Sequence, residues 1–205
     1  MQAFTRTASF KTVSFKVLYH NGTMNPKDKK LDSLEGGGLS VTTHPDEWAQ
    51  ITPLGGELWE LTKSGNRFLD AHSLTDKNED EVIAWGVENG YIESKTIYRV
   101  PVYDEEGELW YFDFKSYNEA LIEATEESEI VVKDGGLIPT PKLSKATGVR
   151  SSIAEAFNHL LTVYAETVTS YDGVWWGDDL DVGKLSAPRG VIFKDKLSEW
   201  NKESI

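Results

Sequence analysis

The residues able to do chemistry form two small groups far apart in the chain. The first is His20-Asn21-Gly22-Thr23. A histidine followed closely by glycine and a hydroxyl residue can hydrogen-bond a ribose hydroxyl, while the glycine lets a flat ring or a phosphate approach the backbone. The same histidine could instead bond a loop carbonyl. The second group is Asp178, Asp179 and Asp181, followed by Ser186-Ala187-Pro188-Arg189-Gly190. Three close carboxylates could crowd around a divalent cation, but the regular DxDxDG loop closed by a glutamate is missing. Arg189 could pair with Asp179 or Asp181, or grip a phosphate with both prongs of its guanidinium. Arg99 is a second phosphate candidate.

Other catalytic patterns are missing. There is no GxGxxG ahead of a helix, no GxxxxGK[ST], no HExxH and no GxSxG. His20, His44, His72 and His159 are too dispersed to suggest a zinc site, so no metal is expected. The chain has no cysteine, which removes disulfides, thiolate-bound metals and a cysteine nucleophile.

These groups need elements to position them. Val13, Phe15, Val17 and Tyr19 alternate with polar residues, which predicts one strand over Thr12–Tyr19 leading into His20. Met24 to Gly38 is polar, ends in three glycines and reads as a loop. Leu39–Thr43 reads as a strand. His44-Pro45-Asp46-Glu47-Trp48 has the proline and acids of a helix start. Strand pieces are expected at Glu57–Thr62 and Arg67–Asp70, and a helix over Asp76–Asn89 stopped by Gly90. Thr96–Tyr103 and Glu108–Phe114 form a hairpin about a turn at 104–107. Ser116 with Glu119, and Ser152 with Glu155, are capping-box patterns opening helices. The second helix carries the stripe Ile153, Phe157, Leu160, Leu161, Tyr164 and Val168. Glu129–Val132 is a short strand and Lys133–Arg150 a loop. Tyr171–Trp176 and Arg189–Phe193 are closing strands. Strands outnumber helices without strict alternation, which argues for an α+β fold.

The 205 residues suit a single domain, with room for an inserted subdomain at about 76–150. The 34 acidic and 21 basic residues give a formal charge of −13. That charge opposes broad contact with nucleic-acid phosphates or anionic lipid. It suits a solubilising surface, or an acidic face that docks onto a basic or nucleic-acid-binding protein. No apolar run approaches the roughly 18–20 residues that cross a bilayer. The opening residues lack the apolar block of a signal peptide, so a cytoplasmic location without a membrane partner is expected.

Three stretches together resemble the ADP-ribosyltransferase-like family. Leu18-Tyr19-His20-Asn21-Gly22-Thr23 is similar to the family's Tyr-His-Gly-Thr opening, with Asn21 inserted. Gly38–Thr43, followed by Pro45 and Trp48, resembles its hydroxyl-bearing strand leading into a helix. Tyr171–Asp178 resembles its third motif, a strand ending near an acid. Order and spacing are most like the divergent members of phage and phage polyvalent proteins. The resemblance implies a split β-sandwich that uses NAD+ as substrate and moves ADP-ribose onto a host protein side chain, in host takeover or against host defence. His20 would then contact the adenosine-side ribose or the nearby backbone of the nucleotide, Gly22 and Thr23 would bound the nicotinamide pocket, and Ser40 or Thr42 would support the nicotinamide ribose. Tyr19 or Trp48 would stack on a ring, or belong to the core.

The reaction implied builds positive charge on the ribose, which a nearby carboxylate stabilises. Asp178 is the first candidate for that acid, with Asp179 and Asp181 behind it. The family acid is usually Glu, with Gln or Glu two residues earlier, where this chain has Trp176. That departure leaves two alternatives in view: hydrolysis of free NAD+, and a catalytically idle acidic protein that binds and inhibits a basic partner.

Overall fold

The computed structural model describes residues 9–24, 36–51, 56–103, 107–124, 129–181, 183 and 186–205. Most of the expected loop at 24–38 and turn at 104–107 lies outside them. The strands are β1 (Thr12–Val13), β2 (Leu18–Asn21), β3 (Leu39–Thr42), β4 (Leu58–Thr62), β5 (Phe68–Asp70), β6 (Ile92–Tyr103), β7 (Leu109–Phe114), β8 (Val131–Pro139), β9 (Gly173–Trp176), β10 (Arg189–Ile192) and β11 (Asn201–Ser204). The helices are α1 (Pro45–Ile51), α2 (Asp76–Glu88), α3 (Tyr117–Glu123), α4 (Pro141–Thr147) and α5 (Ala156–Val168). Among the described residues, eight strands form one sheet in the order β1-β5-β9-β10-β3-β2-β4-β11, and three form a second in the order β7-β6-β8. The class is α+β. No helix of the described residues is long and apolar enough to cross a membrane.

The central strands of the large sheet, β9, β10 and β3, are buried on both faces, and their alternation shows it. Leu69, Val174, Trp176, Val191 and Phe193 face a core built with α2 and α5, including Val82, Trp85, Leu160, Leu161 and Tyr164. Their neighbours Phe68, Trp175 and Ile192 face the other way, onto Leu18, Leu39, Val41, Leu61 and Trp200. Successive side chains point to opposite faces, so a strand covered on both sides must be apolar throughout. Gly173-Val174-Trp175-Trp176 is buried at all four positions for that reason. Gly173 itself marks a close approach: a Cβ there would lie 1.9 Å from the Val191 carbonyl oxygen.

Several local expectations are corrected. Thr12–Tyr19 is not one strand. β1 pairs with β5, whereas β2 pairs with β3 and β4. The break is made by Asn66, whose Oδ1 accepts from Phe15 N–H at 2.9 Å and whose Nδ2 donates to the Phe15 carbonyl at 2.7 Å. A buried side-chain amide thus takes the place of a strand partner. The loop expected at Lys133–Arg150 is instead most of β8 and all of α4. Pro141 sits in the first turn of α4, where a missing N–H costs nothing. Ser152 and Glu155 do exchange capping-box hydrogen bonds, but they close the turn before α5, so Ile153 lies outside the helix.

The start of β9 is tied down by charge. Lys63 Nζ bonds Asp172 Oδ1, and also Glu199 Oε2 at 2.6 Å. Asp172 Oδ2 accepts from Arg67 N–H at 2.8 Å. The β4–β5 turn, β9 and the residues before β11 are therefore joined through one buried carboxylate.

Candidate functional site

The three motif stretches and Arg189 come from the two ends of the chain and meet on four adjacent strands, β2-β3-β10-β9. One register row crosses all four. Tyr19 is opposite Thr42, Thr42 opposite Arg189, and Arg189 opposite Trp176. Directly opposed residues share a face, and Trp176 places this row on the α5 side, where its Nε1 donates to Asn158 Oδ1 at 3.2 Å.

His20 lies one residue beyond the row. β2 and β3 share the single position Tyr19↔Thr42. Just past it the imidazole bridges the two segments: Nδ1 is 2.8 Å from the Ser40 carbonyl oxygen and Nε2 is 2.8 Å from that of Thr23. A carbonyl only accepts. A neutral imidazole donates to one of them, and an imidazolium donates to both. Gly22 adopts φ +128°, open to glycine and strained for other residues. Its carbonyl accepts from Trp59 Nε1 at 3.1 Å, and its N–H donates to the Glu57 carbonyl at 2.9 Å. Trp59 is directly opposite His20. The sequence offered no signal for it beyond an aromatic in a strand.

Arg189 makes an ion pair with Asp178: Nη1 to Oδ2 is 2.5 Å. The guanidinium also lies 5.9 Å from the centre of the Trp176 ring. Asp181 and Ser186 exchange backbone hydrogen bonds at 2.9 Å, and Ser186 Oγ donates to the Asp179 carbonyl at 2.7 Å. Asp179 and Asp181 are thus both tied to Ser186. No three His, Asp or Glu side chains among the described residues converge as a metal site.

Thr42 is buried and occupied by the backbone, donating to the Pro188 carbonyl at 2.7 Å and accepting from His44 N–H at 3.0 Å. Ser40 is half-buried and offers His20 its carbonyl. Trp48 is half-buried on α1, which packs against β2. Arg99 belongs to the small sheet, 2.8 Å from Asp113 Oδ1 and 4.1 Å from the Tyr111 ring centre.

His20 and Asp178 are not brought together. Alternation puts His20 on the Leu18 face, which packs with Trp175. Arg189 and Trp176 are on the α5 face. Three strand spacings separate β2 from β9, about 14 Å. No family model, curated protein or solved structure matches this chain.

Proposed function

We propose that the protein works by binding, as a catalytically idle acidic inhibitor of a basic protein, on a frame of the ADP-ribosyltransferase type. The observation that carries this reading is the engagement of Asp178 by Arg189, three strands from His20 and across the sheet from it. A carboxylate meant to support a ribosyl cation should face the sugar with its charge available. Here its charge is answered by a guanidinium, and both nitrogens of the histidine meet main-chain carbonyls. The chain's net charge of −13 supplies the attraction to a basic partner.

A second reading is transfer of ADP-ribose from NAD+ to a protein side chain, favoured by the convergence of the motif stretches on neighbouring strands. On that reading a pyrophosphate takes Arg189 and releases Asp178. Tagged NAD+ incubated with a host-cell lysate separates the two. Binding predicts no label on any protein and no loss of NAD+. Label that disappears in both Asp178→Ala and His20→Ala establishes transfer and ends the idle reading. Free ADP-ribose without labelled protein establishes hydrolysis.

A further inference from the structure

Two large aromatic side chains of the small sheet, Trp110 and Phe112, are exposed on one face of it. In the β6–β7 hairpin Val102 is opposite Trp110, Val100 opposite Phe112 and Tyr98 opposite Phe114. Tyr98 meets Tyr117 of α3 edge to face at 5.8 Å, so α3 lies on that same face, with Ala120 buried beneath it. Beside this small contact Trp110 is 62% exposed and Phe112 61%, and Val132, opposite Tyr98 on β8, is 58% exposed. Clustered exposure of this kind marks an interaction surface, whereas scattered single residues do not.

The charge around it selects the partner. Residues 103–129 hold ten acids and a single base, Lys115, so this stretch contributes most of the chain's net charge. Glu108, Glu119, Glu123 and Glu129 are exposed. A second copy of the chain would bring the same acids against them and be repelled. The opposite face of the hairpin is already self-paired through Arg99, Asp113 and Tyr111.

We infer that the β6–β7 hairpin and α3 form a docking surface for a basic protein segment that carries apolar side chains, with Trp110 and Phe112 as its anchors. The inference rests on the binding reading above and names the surface that does the binding. Aromatic anchors supply most of the energy in such contacts, and the acidic rim sets encounter rate and partner choice.

The test uses the full chain and a fluorescent synthetic Leu/Lys amphipathic peptide, with an oligolysine of equal charge as comparator. The amphipathic peptide should bind more tightly than oligolysine. Trp110→Ser with Phe112→Thr should weaken it about tenfold or more, with an unchanged melting temperature. Glu108→Lys with Glu119→Lys should weaken it and flatten its salt dependence, while Glu79→Lys on α2 should leave it unaltered. Equal binding of both peptides, or full binding by the Trp110/Phe112 variant, overturns the surface. So does a concentration-dependent dimer that this variant abolishes. Transfer of ADP-ribose by the same protein would overturn the idle reading and leave the surface standing.

Discussion

Arg189 Nη1 lies 2.5 Å from Asp178 Oδ2, joining the first residue of β10 to the chain as it leaves β9. The guanidinium side chain is mostly buried and the carboxylate about one-third exposed, so neither charge is fully bathed in water. Removing one partner leaves the other under-solvated. Arg189→Met is expected to cost about 2 kcal/mol in urea unfolding. The double variant with Asp178→Asn should recover much of that loss. Purely additive losses would show that the two groups are not coupled.

Asn66 is a buried amide that bonds both backbone groups of Phe15, and the Lys63 carbonyl at 2.6 Å. Asn66→Ala should cost about 2–4 kcal/mol, since it orphans several backbone groups at once. Asn66→Asp keeps the acceptor for Phe15 N–H but loses both donated bonds, and should be harmful as well. Amide exchange at Phe15 reads the effect directly.

Lys63 gives a prediction in pH. Burial alone would lower its pKa, but hydrogen bonds to Asp172 and Glu199, and their charges, raise it above the usual 10.5. Glu199 is held below its usual 4.5 by the hydrogen bond and charge of Lys63. A depressed acid contributes stability above its unfolded pKa and loses it as pH falls through the folded value. A raised lysine contributes below its unfolded pKa and loses it as pH rises through the folded value. The penalty of Lys63→Met on melting temperature should therefore be flat between about pH 4.5 and 10.5 and shrink beyond either end. A penalty that keeps growing into acid would contradict this pairing.

Gly173→Ala should be among the most damaging small substitutions. Its methyl would sit 1.9 Å from the Val191 carbonyl and 2.7 Å from the Phe68 ring. All three belong to adjacent strands with no room to part, so a loss of about 3 kcal/mol or more is expected. Gly65→Ala, whose Cβ meets nothing within 4 Å, gauges the cost of backbone strain alone, since Gly65 adopts φ +68°.

What could be read from the sequence was mostly local. The hairpin at β6–β7, helix α2 with its stop at Gly90, and the closing strands β9 and β10 all announce themselves by periodicity or breakers. α2 also begins with a capping box between Thr75 and Asn78, which an Asn at that position disguises. β8 was hidden because Gly135-Gly136 reads as a loop. Gly136 is instead the place where β8 passes tightly over Ile97, beside the bulge between Lys95 and Ile97. The break after Val13 depends on Asn66, 51 residues from Phe15, and no window of sequence contains both. β11 has no apolar alternation at all. It is an exposed edge strand held to β4 by its backbone.

The candidate site shows the same division. Motif order runs along the chain, and the motif stretches with Arg189 occupy the four adjacent strands β2, β3, β10 and β9. It could not tell which face each side chain takes. That is set by register, and a shift of one residue exchanges the faces. His20 and Arg189 therefore looked like members of one pocket while lying on opposite sides of the sheet. That Asp178 pairs with Arg189 was equally invisible, because three acids within four positions are equivalent in the sequence.

The strand order also governs how quickly this protein can form. β3 pairs with β10, β4 with β11 and β5 with β9, each pair separated by a hundred residues or more. Contacts between such remote partners require large loops to close before any reward is gained, which slows folding toward milliseconds or seconds. On the ribosome the case is sharper. β2, β3, β4 and β5 emerge early, yet the strands that fill the gap between β3 and β5 lie after residue 172. Until those last strands arrive, the early ones keep unsatisfied edges that are open to pairing with other chains.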